Sequence, residues 1–138
     1  MPTLWRFYGF ESLNGSRPVD EWFKNDLSDG ARFAFRDALK DAQKIADPNH
    51  WLCFKRFLRG KYRKYHIWEL WFSSGDGRQY RVLGVFGSAR KQAILLIGCY
   101  HKGRVYTPAD ALDSAFDRAR ALAEGSATTY ERKIPTDQ

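Results

Sequence analysis

Residues 66–100 read HIWELWFSSGDGRQYRVLGVFGSARKQAILLIGCY, and this stretch decides the fold. It holds three runs of apolar and aromatic residues, separated by the short loops Ser73–Gly77 and Gly87–Arg90. Runs of this length bounded by Gly and Ser predict strands joined by hairpin loops. Strands joined by such short loops must be antiparallel. The stretch therefore predicts three consecutive antiparallel strands: His66–Phe72, Tyr80–Phe86 and Gln92–Tyr100.

The segments around these strands predict a first strand and three helices. Leu4–Phe10 mixes aromatic residues with Arg6 and predicts the strand. Apolar residues then recur at helical spacing in three places. These residues are Val19, Trp22, Phe23 and Leu27; Phe35, Ala38, Leu39, Ala42, Ile45 and Ala46; and Leu112, Ala115, Phe116, Ala119, Leu122 and Ala123. The predicted order is β-α-α-β-β-β-α, an α+β domain over residues 1–125 with an antiparallel sheet, followed by a C-terminal tail at 126–138.

The charge of the chain is concentrated in its middle. The 138 residues carry a net charge of +7, but residues 48–109 hold 12 basic and only two acidic residues. A local excess of this kind indicates a polyanionic partner such as nucleic acid. The longest nearly unbroken apolar run, Ala93–Tyr100, is far short of the roughly 20 residues that cross a bilayer. No basic-then-apolar signal pattern opens the chain, and Cys53 and Cys99 are typical of buried thiols in a reducing cytoplasm.

The sequence predicts neither a metal site nor a bound cofactor. His50, His66 and His101 are scattered, and neither cysteine has a partner at ligand spacing. There is no phosphate-binding glycine loop and no Ser or Cys nucleophile motif. Chemistry is therefore expected from basic and aromatic side chains.

A basic segment precedes the three-strand region. Its cations alternate with Phe54, Phe57, Tyr62 and Tyr65. Cations contact phosphates while aromatic faces stack on unpaired bases, so the segment predicts nucleic-acid binding. The alternative is a solvated connector whose aromatic residues pack on the core. The predicted binding residues are Lys55, Arg56, Arg59, Lys61, Arg63 and Lys64, together with Tyr100.

A second cluster lies between the third of these strands and the last helix. Tyr100, His101, Lys102, Arg104 and Tyr106 place a histidine, two cations and two phenols within seven residues. A metal-free ribonuclease needs a base for the 2′-hydroxyl, an acid for the leaving oxygen and cations for the developing charge. His101 suits either proton transfer because its reference pKa is near 6.5. The alternative is a phosphate-binding or merely solvated loop.

Arg81 lies alone in an apolar strand and has two interpretations. Such an arginine is usually paired, and Glu69 on the preceding strand is a plausible partner. If it is unpaired and faces the basic residues, it is a phosphate clamp.

These elements together resemble the RelE/ParE toxin superfamily, and specifically its HigB-like, phage-derived toxin-like branch. The resemblance covers roughly residues 4–124 and depends on the order and spacing of several motifs. These are Arg17–Trp22, Phe57–Gly60, Ile67–Leu70, Tyr80–Leu83, Ile94–Lys102 and Tyr106–Pro108. It implies a small twisted antiparallel sheet with two N-terminal helices and a C-terminal helix. It also implies that Arg81 holds the scissile phosphate and that His101, Lys102 and Arg104 form the family's basic stretch.

The function implied by the resemblance is that of a type II toxin. Such toxins cut mRNA on the ribosome by metal-independent 2′-hydroxyl attack, so the expected partners are a cognate antitoxin, the ribosome and mRNA. Two alternatives stay open: a ParE-like inhibitor of DNA gyrase, which binds without cutting, and a non-enzymatic nucleic-acid-binding prophage protein. No membrane partner is expected, and the expected location is the cytoplasm.

Overall fold

The computed structural model of the chain describes residues 4–57, 59–102 and 105–133. Within these residues the chain forms three α-helices and seven strands. The helices are α1 (Pro18–Asn25), α2 (Asp29–Gln43) and α3 (Ala111–Ala123). The strands are β1 (Arg6–Ser12), β2 (Phe54–Arg56), β3 (Trp68–Ser73), β4 (Gln79–Phe86), β5 (Gln92–Lys102), β6 (Val105–Thr107) and β7 (Ala127–Glu131). Two short 3₁₀ helices, Pro48–His50 and Gly60–Arg63, flank β2.

The sheet is mixed, so the predicted antiparallel sheet is wrong. Its strand order is β2-β3-β4-β5-β1-β7, and β6 pairs with the far end of β5. Strands β1 and β5 are parallel, with Arg6 opposite Gln92 and Gly9 opposite Leu95. A long excursion through two helices and three strands separates the two, which removes the antiparallel constraint that a short loop imposes. The sheet also has seven strands among the described residues instead of the four predicted.

The three central strands pair as expected. Strands β3, β4 and β5 are antiparallel, and Arg81 of β4 lies opposite Trp71 on one side and Cys99 on the other. A bulge between Leu83 and Gly84 shifts the register of β4 against β5. Such a bulge bends the strand and increases its local twist.

Strand β7 adds an edge to the sheet from the segment predicted to be a tail. It pairs antiparallel with β1, from Tyr8 opposite Glu131 to Ser12 opposite Ala127. The Tyr130 ring covers Gly9, where a Cβ atom would approach that ring to 2.5 Å. Glycine at this position therefore lets an aromatic ring of β7 lie directly on the backbone of β1.

Apolar packing covers both faces of the sheet. Helices α1 and α2 bury Trp22 and Phe35 against one face, which includes the fully buried Trp68. Helix α3 buries Ala115 and Ala119 against the other face. Ser28 caps α2 by accepting a 3.2 Å hydrogen bond from the Ala31 amide. In the part of the chain that the structure describes, no helix is long and apolar enough to cross a membrane.

Candidate functional site

Four neighbouring strands bring together polar side chains on the face of the sheet that α3 occupies. Glu69 comes from β3, Arg81 from β4, His101 from β5 and Tyr106 from β6. They meet because alternate residues of a strand share a face and because Arg81 lies opposite Cys99, two residues before His101. His101 is directly opposite Tyr106. We call these four residues, with Lys55 of β2, the Glu69 cluster.

Glu69 is at the centre of this cluster and is fully buried. Its Oε2 lies 2.9 Å from Nη1 of Arg81 and 3.6 Å from Nζ of Lys55. Its Oε1 accepts a 2.7 Å hydrogen bond from the Tyr106 hydroxyl. A buried carboxylate needs such partners because burial removes the water that stabilises its charge. Glu69 therefore fixes the positions of two predicted catalytic residues.

Arg81 is engaged on several sides. Besides Glu69, it donates from Nη2 to Oε1 of Gln79 at 2.9 Å and lies over the Trp71 ring at 5.6 Å. Its side chain is only 12% exposed, and its Nε has no hydrogen-bond partner among the described residues. Arg81 was predicted either to pair with Glu69 or to remain unpaired, and in the structure it pairs with Glu69. Contact of Arg81 with a phosphate stays a prediction.

His101 is partly buried beside Tyr106. The two rings meet edge to face, with centroids 4.3 Å apart. The His101 Nε2 atom is buried and has no hydrogen-bond partner within the described ranges. Burial, and next the positive charge of Arg81, lowers the pKa of His101. The imidazole is consequently neutral at neutral pH, the form that accepts a proton.

Two further titratable groups at this face, Tyr106 and Cys99, stay protonated at neutral pH. Burial, and then the hydrogen bond to Glu69, raises the pKa of Tyr106. Burial raises the pKa of the Cys99 thiol to about 12. A thiol with so high a pKa is a poor nucleophile because almost none of it is thiolate. Tyr106 is thus a hydrogen-bond donor, and Cys99 contributes packing.

The predicted nucleic-acid-binding segment divides into three parts. Lys55 faces Glu69, whereas the Arg56 guanidinium lies over Phe54 and Phe86, 5.4 and 5.3 Å from the two ring centroids. Lys61 is tied to α3 by a 2.7 Å ion pair with Asp113. The exposed cations that have no acidic partner among the described residues are Arg59, Arg63 and Lys64.

Three further predicted site residues are not part of the Glu69 cluster, and one of these lies outside the residues that the structure describes. Tyr100 is on the opposite face of β5 from His101, where the Arg78 guanidinium lies 4.8 Å from its ring centroid. Lys102 ends β5 opposite Val105. Arg104 lies outside the described residues.

The sequence did not predict the central role of Glu69. The sequence pattern indicated Glu69 only as a partner for Arg81, although Glu69 also accepts a hydrogen bond from Tyr106 and lies near Lys55. A lone carboxylate in an otherwise apolar strand is the signal that could have identified it.

Neither a scan of protein-family models nor searches of curated proteins and solved structures find a match to the chain. The resemblance to the RelE/ParE toxins therefore stays a prediction. Among the described residues, no group of three or more His, Cys, Asp or Glu side chains could hold a metal ion.

Proposed function

We propose that the chain is a metal-independent endoribonuclease that cuts mRNA on the ribosome and serves as the toxin of a type II toxin–antitoxin pair. The observation that supports this best is the Glu69 cluster. It combines a neutral histidine, an arginine and a lysine on one face of the sheet. The exposed cations of the preceding segment add a surface for the RNA backbone.

The proposed reaction is attack of a 2′-hydroxyl on the adjacent phosphorus. Neutral His101 takes the hydroxyl proton at Nδ1, because its Nε2 is buried. The 2′-oxygen then forms the new P–O bond as the bond to the 5′-oxygen breaks. The products are a 2′,3′-cyclic phosphate and a 5′-hydroxyl. Arg81 and Lys55 stabilise the charge that develops on the phosphorane oxygens. Lys102 is the candidate acid for the leaving oxygen, because the Tyr106 hydroxyl already donates a hydrogen bond to Glu69.

The proposal implies partners and a location. A cationic RNA-binding surface is complementary to an acidic segment of a cognate antitoxin, whose binding would weaken as salt rises. The substrate is mRNA in the ribosome, so the proposed location is the cytoplasm.

The test is single-turnover cleavage of ribosome-bound mRNA by wild type and by His101→Gln. If His101 moves the proton, the variant should cut about 10²–10⁴-fold more slowly while its ribosome affinity changes little. His50→Gln is the matched control, because His50 is exposed and lies outside the Glu69 cluster. Equal cleavage by wild type and His101→Gln would remove His101 from the mechanism.

One observation favours a second function, in which the chain binds without cutting. Arg81 is already paired with buried Glu69, so a phosphate would have to share the Arg81 charge with that carboxylate. This fits a ParE-like gyrase inhibitor or a non-enzymatic nucleic-acid-binding protein. Inhibition of DNA supercoiling by purified gyrase, together with no cleavage of ribosome-bound mRNA at any pH, would favour the gyrase function.

A further inference from the structure

Strand β5 has an unpaired stretch on one of its two sides. Strand β4 runs along one side, while on the other side β1 pairs with residues 92–95 and β6 with residues 100–102. Between β1 and β6, no strand of the described chain pairs with residues 96–99 on that side. The sheet therefore has a gap beside residues 96–99, although these residues themselves are buried.

A cleft of about 750 Å³ occupies this gap, on the side of α1. Clefts that hold small ligands commonly have volumes of roughly 300–1,000 Å³. Residues in or next to α1, β4, β5, β6 and α3 line it. Its charged and aromatic lining residues are Glu21, Trp22, Asp26, Arg78, Tyr80, Tyr100 and Arg118.

The floor of the cleft is backbone and an aromatic ring. Gly98 of β5 lines it, and a Cβ atom there would approach the Trp22 ring to 2.0 Å. The Trp22 ring, only 8% exposed, therefore lies directly on Gly98 and meets the Phe35 ring edge to face. These contacts hold the Trp22 ring in a fixed position at the floor of the cleft.

Arg118 of α3 closes one side of the gap. Its Nη1 donates a 2.8 Å hydrogen bond to the Leu96 carbonyl, which satisfies one of the unpaired backbone groups. Burial lowers the pKa of Arg118, and the nearby carboxylates of Asp110 and Glu21 oppose that shift. Glu21 is therefore close enough to Arg118 to interact with its partly buried charge.

We propose that this cleft binds a guanine base of the RNA substrate. The Watson–Crick edge of guanine carries donors at N1 and at the exocyclic amine, and the Glu21 and Asp26 carboxylates are acceptors. Adenine presents an unprotonated N1 at that edge, which a carboxylate disfavours. The exposed Arg78 guanidinium, held over the Tyr100 ring, is a planar group on which a base can stack.

The position of the cleft relates it to the Glu69 cluster. Tyr100 and Thr107 line the cleft, while their chain neighbours His101 and Tyr106 belong to the cluster on the other face. RNA with one base in the cleft would therefore pass around the β5–β6 pair to reach His101. This inference rests on the proposed function, because it assigns the specificity of that same site.

Calorimetric titration of the full chain with GMP, AMP, CMP and UMP at low salt tests the cleft without requiring cleavage. GMP should bind most tightly. Glu21→Gln and Asp26→Asn should each weaken GMP binding about 10-fold or more, because each removes a charged hydrogen-bond acceptor. Glu124→Gln, an exposed change at the end of α3, should leave binding unchanged. Equal affinity for all four nucleotides, undetectable GMP binding or unchanged affinity in both cleft variants would overturn the assignment.

Mapping the cut sites in ribosome-bound mRNA separates this inference from the nuclease proposal. If the chain cuts, cleavage next to G should dominate in wild type and lose that preference in the Glu21→Gln/Asp26→Asn variant. GMP binding with the expected variant effects but no cleavage would support the cleft and refute the nuclease. Cleavage that shows no preference for G, in a chain that does not bind GMP, would support the nuclease and refute the guanine site.

Discussion

Glu69 shows how one buried charge organises its surroundings. Taking a carboxylate out of water is costly, and the ion pair with Arg81 offsets that cost only while both partners remain. Lys55, at 3.6 Å, is a weaker second cation because its side chain is 53% exposed. The stability of this part of the sheet therefore depends on the pair more than on either residue.

A double-mutant cycle measures this dependence. Arg81→Met should lower the free energy of unfolding by about 3 kcal/mol, because it leaves a buried charge without its main partner. Adding Glu69→Leu to it should cost less than the sum of the two single changes, with a coupling energy above about 1 kcal/mol. Urea denaturation of the four proteins gives all the terms. Additive losses would mean that the two side chains do not interact in solution.

His101 gives the stability of the protein a pH dependence of definite sign. Its pKa is lowered in the folded state, so below about pH 6.5 the unfolded chain binds more protons than the folded chain. The contribution of His101 is therefore present above that pH and is lost as the pH falls. Between about pH 7.5 and 5.5, wild type should lose more stability than His101→Gln does. Thermal melts across this range, with His50→Gln as the control, would show parallel curves if the histidine were solvated.

At the scale of elements, the sequence predicted those helices and strands whose formation depends on residues close together in the chain. Helical spacing identified all three helices, and short loops identified β3, β4 and β5. Strand β7 was missed because ATTYE carries little apolar signal and its partner, β1, is at the other end of the chain. The parallel pairing of β1 with β5 was missed for the same reason, since no loop links the two strands directly.

In the candidate site, too, contacts between neighbouring strands could be predicted, whereas contacts between distant segments could not. The pairing of Arg81 with Glu69 could be anticipated because a hairpin brings their strands together. The pairing of Lys61 with Asp113 could not, because it joins the basic segment to a helix far along the sequence. Because of this ion pair, Lys61 differs from those exposed cations of the basic segment that have no acidic partner among the described residues, a difference that the sequence does not show.

Strand β7 should behave as part of the sheet. Tyr130 lies on Gly9, and the Arg17 guanidinium covers its ring at 4.1 Å. Tyr130→Ala should cost about 2 kcal/mol, because the ring is half-buried. Thr128→Ala, at an exposed position of the same strand, should change stability by less than about 0.5 kcal/mol. Hydrogen exchange at the β1 and β7 amides should accelerate in the first variant only, and protection that is equally low in wild type would place β7 outside the sheet.

At the scale of the whole molecule, charge is divided between paired and unpaired cations. The exposed set Arg59, Arg63 and Lys64 has no acidic partner among the described residues, unlike Lys61. Changing all three to Gln should weaken binding of single-stranded RNA. It should also flatten the slope of log affinity against log salt by about 2, since each phosphate contact contributes roughly 0.7. Filter binding at several salt concentrations measures this slope.

A second triple variant tests whether RNA binding depends on this particular surface or only on the net charge of the chain. Lys24, Arg36 and Lys44 are exposed on or just after α1 and α2, and their change to Gln alters the net charge equally. This second triple variant should retain most of the wild-type slope. Equal slopes for the two triple variants would mean that RNA senses only the overall charge of the chain.

The central position of β1 determines when the molecule can fold. Strand β1 precedes β5 and β7 in the chain and lies between them in the sheet, so its backbone stays unpaired until those two strands have been synthesised. Contacts so distant in sequence slow folding, because the entropy of closing a long loop is lost before the pairing can offset it. A chain interrupted before β5 would leave β1 and the apolar faces of α1 and α2 without their sheet. Such a fragment would be exposed to proteolysis and aggregation.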